Sequence, residues 1–152
     1  MGKAAKQVVS YCIRNDIGTL IVGYNTTFQR SSDLGRRMNQ VFVGIPFGIL
    51  RRKLKYLCEM NGIRYVEQEE SYTSKASFWD LDEMPVYGEA GFVPPVFSGR
   101  RICRGLYQDR SGRRINADVN GALNIMRKCN IVSLRALYAR GDVDTPVRIR
   151  IA

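Results

Sequence analysis

The eleven residues Ile115-Asn116-Ala117-Asp118-Val119-Asn120-Gly121-Ala122-Leu123-Asn124-Ile125 constrain this chain more than any other stretch. They read as the mouth of a helix that carries one carboxylate and three amides. Asp118 falls in the first turn, where the helix dipole favours a negative charge. Ala122, Ile125, Met126 and Cys129 recur from it at helical spacing. They predict an apolar stripe that docks the helix on a core and carries Asp118 towards the body of the domain. On spacing alone, an Asp beside Asn at a helix start is more often a cap than a ligand.

The rest of the composition narrows the class. A chain of 152 residues with 45% apolar content predicts one compact domain. Lys and Arg number 24 against 14 Asp and Glu, a net charge of +10 that suits a polyanionic partner. No apolar run approaches the roughly 20 residues a membrane span needs, and no signal peptide opens the chain. Nucleic acid is therefore the expected partner, and a membrane is not. Cys12, Cys58, Cys103 and Cys129 are scattered and no histidine occurs, so neither a disulfide framework nor a zinc site is expected. That usage fits a reducing cytoplasm.

Residues 3–14 carry Val8, Val9, Tyr11 and Cys12 on a broad apolar stripe and predict an amphipathic helix. Asn15-Asp16-Ile17-Gly18 is a turn signal, and residues 19–25 read as a buried strand. Residues 26–39 are polar and read as a loop or short helix that includes Arg36 and Arg37. Pro46 suits the first position of a helix running to about Asn61, with Gly62 as its stop. Phe47, Leu50, Leu54, Leu57 and Cys58 form its core face, and Arg51, Arg52, Lys53 and Lys55 point mostly away. Residues 63–69 follow as a strand, completing a strand, helix, strand order typical of an α/β sheet. Residues 80–85 are acidic and loop-like, and Gly88 to Pro95 is too rich in Gly and Pro for a long element. Residues 97–107 and 114–115 flank Asp109-Arg110-Ser111-Gly112 as a hairpin. Ile131 to Arg140 predicts a short helix, and residues 145–152 an edge strand or frayed tail.

Asp118-Val119-Asn120-Gly121-Ala122-Leu123-Asn124-Ile125 resembles the third RuvC motif of the TnpB/OrfB proteins of bacterial insertion sequences, whose consensus is Asp-x-Asn-Ala-Ala-x-Asn-Ile. Tyr72-Thr73-Ser74-Lys75 resembles the Tyr-Thr-Ser-Lys segment of the same family, at about the expected distance. The likeness runs in order through most of residues 10 to 130. It implies an α/β fold, a partial RNase H-like (RuvC) domain interrupted by an inserted zinc-ribbon-like hairpin. In this division, residues 1–75 are the RuvC-like part, 76–114 the insertion, 115–130 the third-motif helix and 131–152 an unassigned tail. The ribbon's cysteine pairs match Ala76 with Trp79 and Arg101 with Arg104, so the resemblance implies the ribbon's shape without zinc. Phe78, Trp79, Phe97 and Tyr107 are the expected apolar staple in its place.

The resemblance also implies the chemistry. RuvC-type nucleases hold two Mg²⁺ ions on a few carboxylates, about 4 Å apart, and hydrolyse a phosphodiester between them. Asp118 matches the third-motif ligand. The usual second-motif Glu is replaced by Gly23, and Glu69 or Glu70, with Glu70 preferred, is the candidate substitute. The bland alternative is that Glu67, Glu69 and Glu70 merely end a strand in solvent. The first-motif Asp should precede the helix at residues 3–14, and Asp16 and Asp33 are poor substitutes for it. The expected function is thus the C-terminal portion of an RNA-guided DNA endonuclease, of a family long called transposases and related to type V CRISPR effectors. It would be magnesium-dependent once completed by a missing N-terminal half, with DNA and guide RNA as partners. The alternative is a nuclease-dead nucleic-acid-binding module acting by occupancy. A basic structural protein unrelated to any nuclease is the remaining reading. Arg36, Arg37, Arg51, Arg52, Arg100, Arg101 and Arg104 are the candidate phosphate contacts.

Overall fold

The computed structural model describes residues 1–25, 47–86, 93, 95–143 and 146–147. It is a mixed α/β structure with two small sheets, divided into two compact units, residues 1–67 with 149–152 and residues 68–148. The expected loop at 26–39, with Arg36 and Arg37, lies outside the described residues, as do most of the 88–95 stretch and the 145–152 tail.

Unit 1 is built by apolar periodicity. Helix α1 (Gly2–Arg14) buries Ala5, Val9 and Cys12 at helical spacing. The stripe is narrower than expected, because Val8 is 39% and Tyr11 49% exposed. Helix α2 (Phe47–Met60) buries Leu54 and Cys58, with Leu50 and Leu57 partly covered and Phe47 exposed. These faces share one apolar cluster with Ile63, and Leu20, Val22 and Tyr65 pack against it. Strand β1 (Thr19–Tyr24) pairs with β2 (Arg64–Glu69) in a two-stranded sheet.

The two helices end alike. Asn15 Nδ2 donates to Tyr11 O at 2.8 Å, and Asn61 Nδ2 to Leu57 O at 2.7 Å. Positive φ follows at Asp16 and Gly62, then the N–H of Ile17 returns to Cys12 O and that of Ile63 to Cys58 O, each at 2.9 Å. This pattern satisfies the last carbonyls and turns each chain into its strand.

Unit 2 contains the three-stranded antiparallel sheet β3 (Arg100–Cys103), β4 (Leu106–Gln108) and β5 (Arg114–Asn116) in the order β3-β4-β5. The Asp109–Gly112 turn joins β4 to β5 as expected. A second hairpin was not expected: Gly105, at φ +79°, turns β3 back on β4 within a stretch that reads in sequence as one arm. Helix α3 (Ala117–Cys129) follows β5 directly, and α4 (Arg135–Arg140) is shorter than the expected 131–140 helix.

The largest correction concerns α3. Ala122 is exposed, and Ala117, Asn120 and Asn124 are the buried face. The helix docks through amides because they bind backbone groups that no apolar side chain could satisfy. Asp118 is consequently exposed to solvent, and not carried inward.

Candidate nucleic-acid interface and carboxylates

Asn120 and Asn124, both fully buried, lie under the turn that holds Thr73, Ser74 and Lys75. Asn120 Oδ1 accepts from Phe78 N–H at 3.1 Å, and its Nδ2 donates to Ala76 O at 2.8 Å. One side chain thereby satisfies a backbone donor and acceptor two residues apart, as a neighbouring strand would. Asn124 Nδ2 donates to Thr73 O at 3.0 Å and to Ala76 O at 2.7 Å. The two amides of the motif therefore fasten residues 73–78, the end of the Tyr-Thr-Ser-Lys turn and the chain just after it, to α3.

Ala76 and Trp79, which the resemblance sets against the ribbon's first cysteine pair, sit beside a network of hydrogen bonds and ring contacts, whereas Arg101 and Arg104 are exposed. Asp82 Oδ2 accepts from Ser77 N–H at 2.8 Å and Ser98 N–H at 2.9 Å, bridging chain segments on either side of the Gly- and Pro-rich stretch. Asp80 Oδ2 accepts from Arg110 N–H at 2.9 Å, and Asp109 Oδ1 from Arg113 N–H at 2.8 Å. Around Ala76 and Trp79, Phe78 stacks on Tyr138 at 4.8 Å between centroids, and the Arg113 guanidinium lies 4.6 Å over the Trp79 ring. The expected staple residues Phe78 and Tyr107 are buried, while Phe97 pairs with Tyr72. Tyr138, Asp80, Asp82 and Asp109 were missed as cross-links. The acidic composition of 80–83 points only to an exposed loop.

Among the carboxylates, Asp118 occupies the first turn of α3, but Asn116 is the cap. Its Oδ1 accepts from Asp118 N–H at 2.9 Å and Val119 N–H at 3.1 Å. The Asp118 carboxylate is thus free of capping duty and exposed. Glu69 ends β2 and is engaged: Lys128 Nζ lies 2.6 Å from its Oε2, and Ser71 N–H donates to Oε1. Burial alone would raise its pKa, yet the bonds from Lys128 and Ser71, with the ammonium charge, hold it below the usual carboxylate range. Glu70 follows the strand, with its carbonyl accepting from Thr73 N–H and Oγ1. Gly23, at the position of the usual second Glu, lies in β1.

Magnesium prefers oxygen ligands in near-octahedral array. Asp118, Glu69 and Glu70 all carry oxygen donors of the right kind, and Glu69 is also bonded to the Lys128 ammonium. No three Asp, Glu, His or Cys side chains gather as a metal site among the described residues. The described donors therefore do not make up a two-metal centre by themselves.

The cations divide in the same way. In unit 1, Arg51 pairs with Glu67 at 3.3 Å and lies 5.7 Å from the centre of the Tyr24 ring, while Arg52 is exposed. In unit 2, Lys128 and Arg113 have acidic partners, and Arg127 donates to Asp82 O. Arg100, Arg101 and Arg104 are exposed on β3 and the turn after it, with no acidic partner among the described residues. Beside them opens a cleft of about 350 Å³ lined by residues that include Lys75, Phe97, Arg100 and Arg101. Tyr107, 1% exposed, also lines it, and its hydroxyl donates to Lys75 O at 2.8 Å. Burial, with the charges of Asp82, Asp80 and Asp109, pushes the Tyr107 pKa up to about 12, so the hydroxyl keeps its proton. No helix among the described residues is long and apolar enough to cross a membrane.

No curated protein sequence matches the chain. Its fold resembles a chain of the cryo-EM structure of the Cas12f1-sgRNA-target DNA complex, with a TM-score of 0.55 at 20% identity. That match covers 82% of this chain and 32% of the other, so the chain spans about a third of the length of the protein it resembles. Residues 47–125, more than half of the sequence, match the family described as Cas12f1-like, TNB domain, and the chain belongs to that family.

Proposed function

We propose that this chain is the C-terminal, nucleic-acid-holding part of a TnpB/Cas12-like RNA-guided DNA endonuclease with an RNase H-like catalytic fold. The observation that carries the reading is the contrast among its cations. Arg51, Arg113 and Lys128 have acidic partners within the chain, whereas Arg100, Arg101 and Arg104 stand exposed with no acidic partner among the described residues. Such a cluster, on a chain of net charge +10, is an electrostatic footprint for phosphates. Pairing between guide RNA and target DNA supplies sequence specificity in effectors of this kind, and the protein grips backbones.

In this reading hydrolysis is magnesium-dependent. Asp118 and Glu70 supply two of the carboxylates, and the first-motif Asp comes from a strand outside these 152 residues. The metal supplies water activation and charge stabilisation when bound. The chain's own contribution is to present Asp118 unencumbered, since Asn116 takes the capping role. Glu69 serves as the strut that ends β2, and Glu70, next to it in the chain, is the candidate for the second carboxylate.

Two measurements test the proposal. The full chain should bind a labelled oligonucleotide with an affinity that falls linearly with salt on a logarithmic plot. Binding that is indifferent to salt would remove the phosphate reading. In the nuclease completed by its first RuvC motif, Asp118→Asn should abolish cleavage while leaving binding and melting temperature unchanged, because the carboxylate is exposed and supports no fold contact among the described residues. Retained cleavage would remove Asp118 as a ligand.

The alternative, a nuclease-dead binding module, is favoured by one observation: Glu69, one of the two candidate second acids, is held by Lys128. It predicts the same salt dependence and no cleavage by the completed protein.

A further inference from the structure

The geometry points to a single-nucleotide site in the unit 2 cleft: we infer that it takes one unpaired nucleotide of a single-stranded nucleic acid, the base against Phe97 and the phosphate among Lys75, Arg100 and Arg101. The inference rests on the nucleic-acid reading above and sharpens it from a basic surface to a site.

Size comes first. About 350 Å³ lies at the lower end of the roughly 300–1,000 Å³ of small-ligand sites, room for one nucleotide and far too little for a duplex. Chemistry comes second. Three cations with no acidic partner among the described residues border the cleft together with one half-buried aromatic ring. Basic groove plus stacking platform is the combination that holds single strands, because every base has a π-face and every linkage a negative charge.

Preorganisation is the third argument. Tyr107 Oη binds Lys75 O, and Lys75 N–H donates to Tyr72 O at 2.9 Å, so the main chain beneath Lys75 is fixed while its side chain is exposed. Tyr72 packs against Phe97 at 5.8 Å between centroids, which limits the ring's freedom. Gly99 lies so close to the floor that a Cβ there would come within 2.5 Å of Gln108 O and 2.6 Å of the Tyr107 ring. A site whose parts are already ordered loses less entropy on binding.

The test compares a labelled oligothymidylate with an abasic strand of equal length and charge, each titrated into the full chain. The thymidylate should bind about tenfold more tightly, the range expected for loss of a base stack. Phe97→Leu, which keeps an apolar contact for Tyr72, should bind both strands equally, and Phe97→Trp should restore the preference. Unchanged melting temperatures of both variants would assign the effect to the cleft. Arg100→Gln with Arg101→Gln should weaken both strands alike. An oligouridylate titration assigns the natural occupant: tighter binding of uridylate points to RNA, tighter binding of thymidylate to DNA. If the wild type binds thymidylate and abasic strands equally, yet both weaken with salt, the nucleotide site is wrong and the basic surface stands. If neither strand binds, both readings fall.

Discussion

Unit 1 and unit 2 are held together by different physics. In the first, Ala5, Val9 and Cys12 of α1 meet Leu54 and Cys58 of α2 in an apolar cluster, with no buried polar side chain among the described residues. In the second, Thr73, Ser77, Asp82, Asp109, Asn120 and Asn124 are all buried beside Phe78 and Tyr107. Apolar burial is non-directional and tolerates many side chains of similar volume. Hydrogen bonds to fixed backbone groups tolerate very few, because a missing partner leaves a desolvated dipole. The comparison teaches that a small domain with scattered cysteines and no histidine is ordered here by carboxylates and amides aimed at its own backbone.

Like-for-like core substitutions give the sharpest test of this difference. Asn120→Leu, close in volume, strands the buried Phe78 N–H and takes from Ala76 O one of its two donors, Asn124 remaining, and should cost about 3 kcal/mol, the upper end of about 1–3 kcal/mol for a buried group left unpaired. Leu54→Met in unit 1 should cost less than about 1.5 kcal/mol. Denaturant titration would measure both, and equal losses would erase the distinction. Asp82→Ala comes next: it removes the acceptor shared by Ser77 and Ser98 and should cost about 2–3 kcal/mol. A urea midpoint unmoved by that change would show that the Asp82 bridge does not hold the segments around the Gly- and Pro-rich stretch together.

Acid should act on unit 2 through Glu69. Its folded pKa is depressed, so the stabilisation from Lys128 and Ser71 is present above the unfolded carboxylate value, near pH 4.3. It is lost as pH falls through the folded value. The stability difference between wild type and Glu69→Gln should therefore be about 1–2 kcal/mol at neutral pH and shrink in acid. A difference constant with pH would contradict the ion pair. The smallest effect belongs to Arg51→Gln, whose pair with Glu67 is over a third exposed on both sides and should contribute less than about 1 kcal/mol.

These contrasts also explain what could be read in advance. Helices at 2–14 and 47–60, the strands after them and the Asp109–Gly112 turn were legible, because apolar spacing and turn residues act locally. The docking face of α3 was not. Ala122, Ile125 and Met126 recur at helical spacing, and nothing in their pattern reveals that Asn120 and Asn124 find carbonyls more than forty residues away. Gly105 is an ordinary glycine in the sequence, and only the second hairpin requires its positive φ. The resemblance singled out Asp118, and the basic charge of the chain the arginines at 100, 101 and 104. Neither could tell that Arg51 has an internal partner in Glu67, or that Glu69 is tied to a lysine 59 residues on.

The most direct measurement of the functional account is the salt dependence of single-strand affinity for the wild-type chain and for a variant with Arg100, Arg101 and Arg104 all changed to Gln. The account predicts that the variant loses about 2 from the magnitude of the log–log slope, three contacts at about 0.7 each, while its fold is unchanged. Identical slopes for the two proteins would show that these arginines touch no phosphate, and would contradict the account.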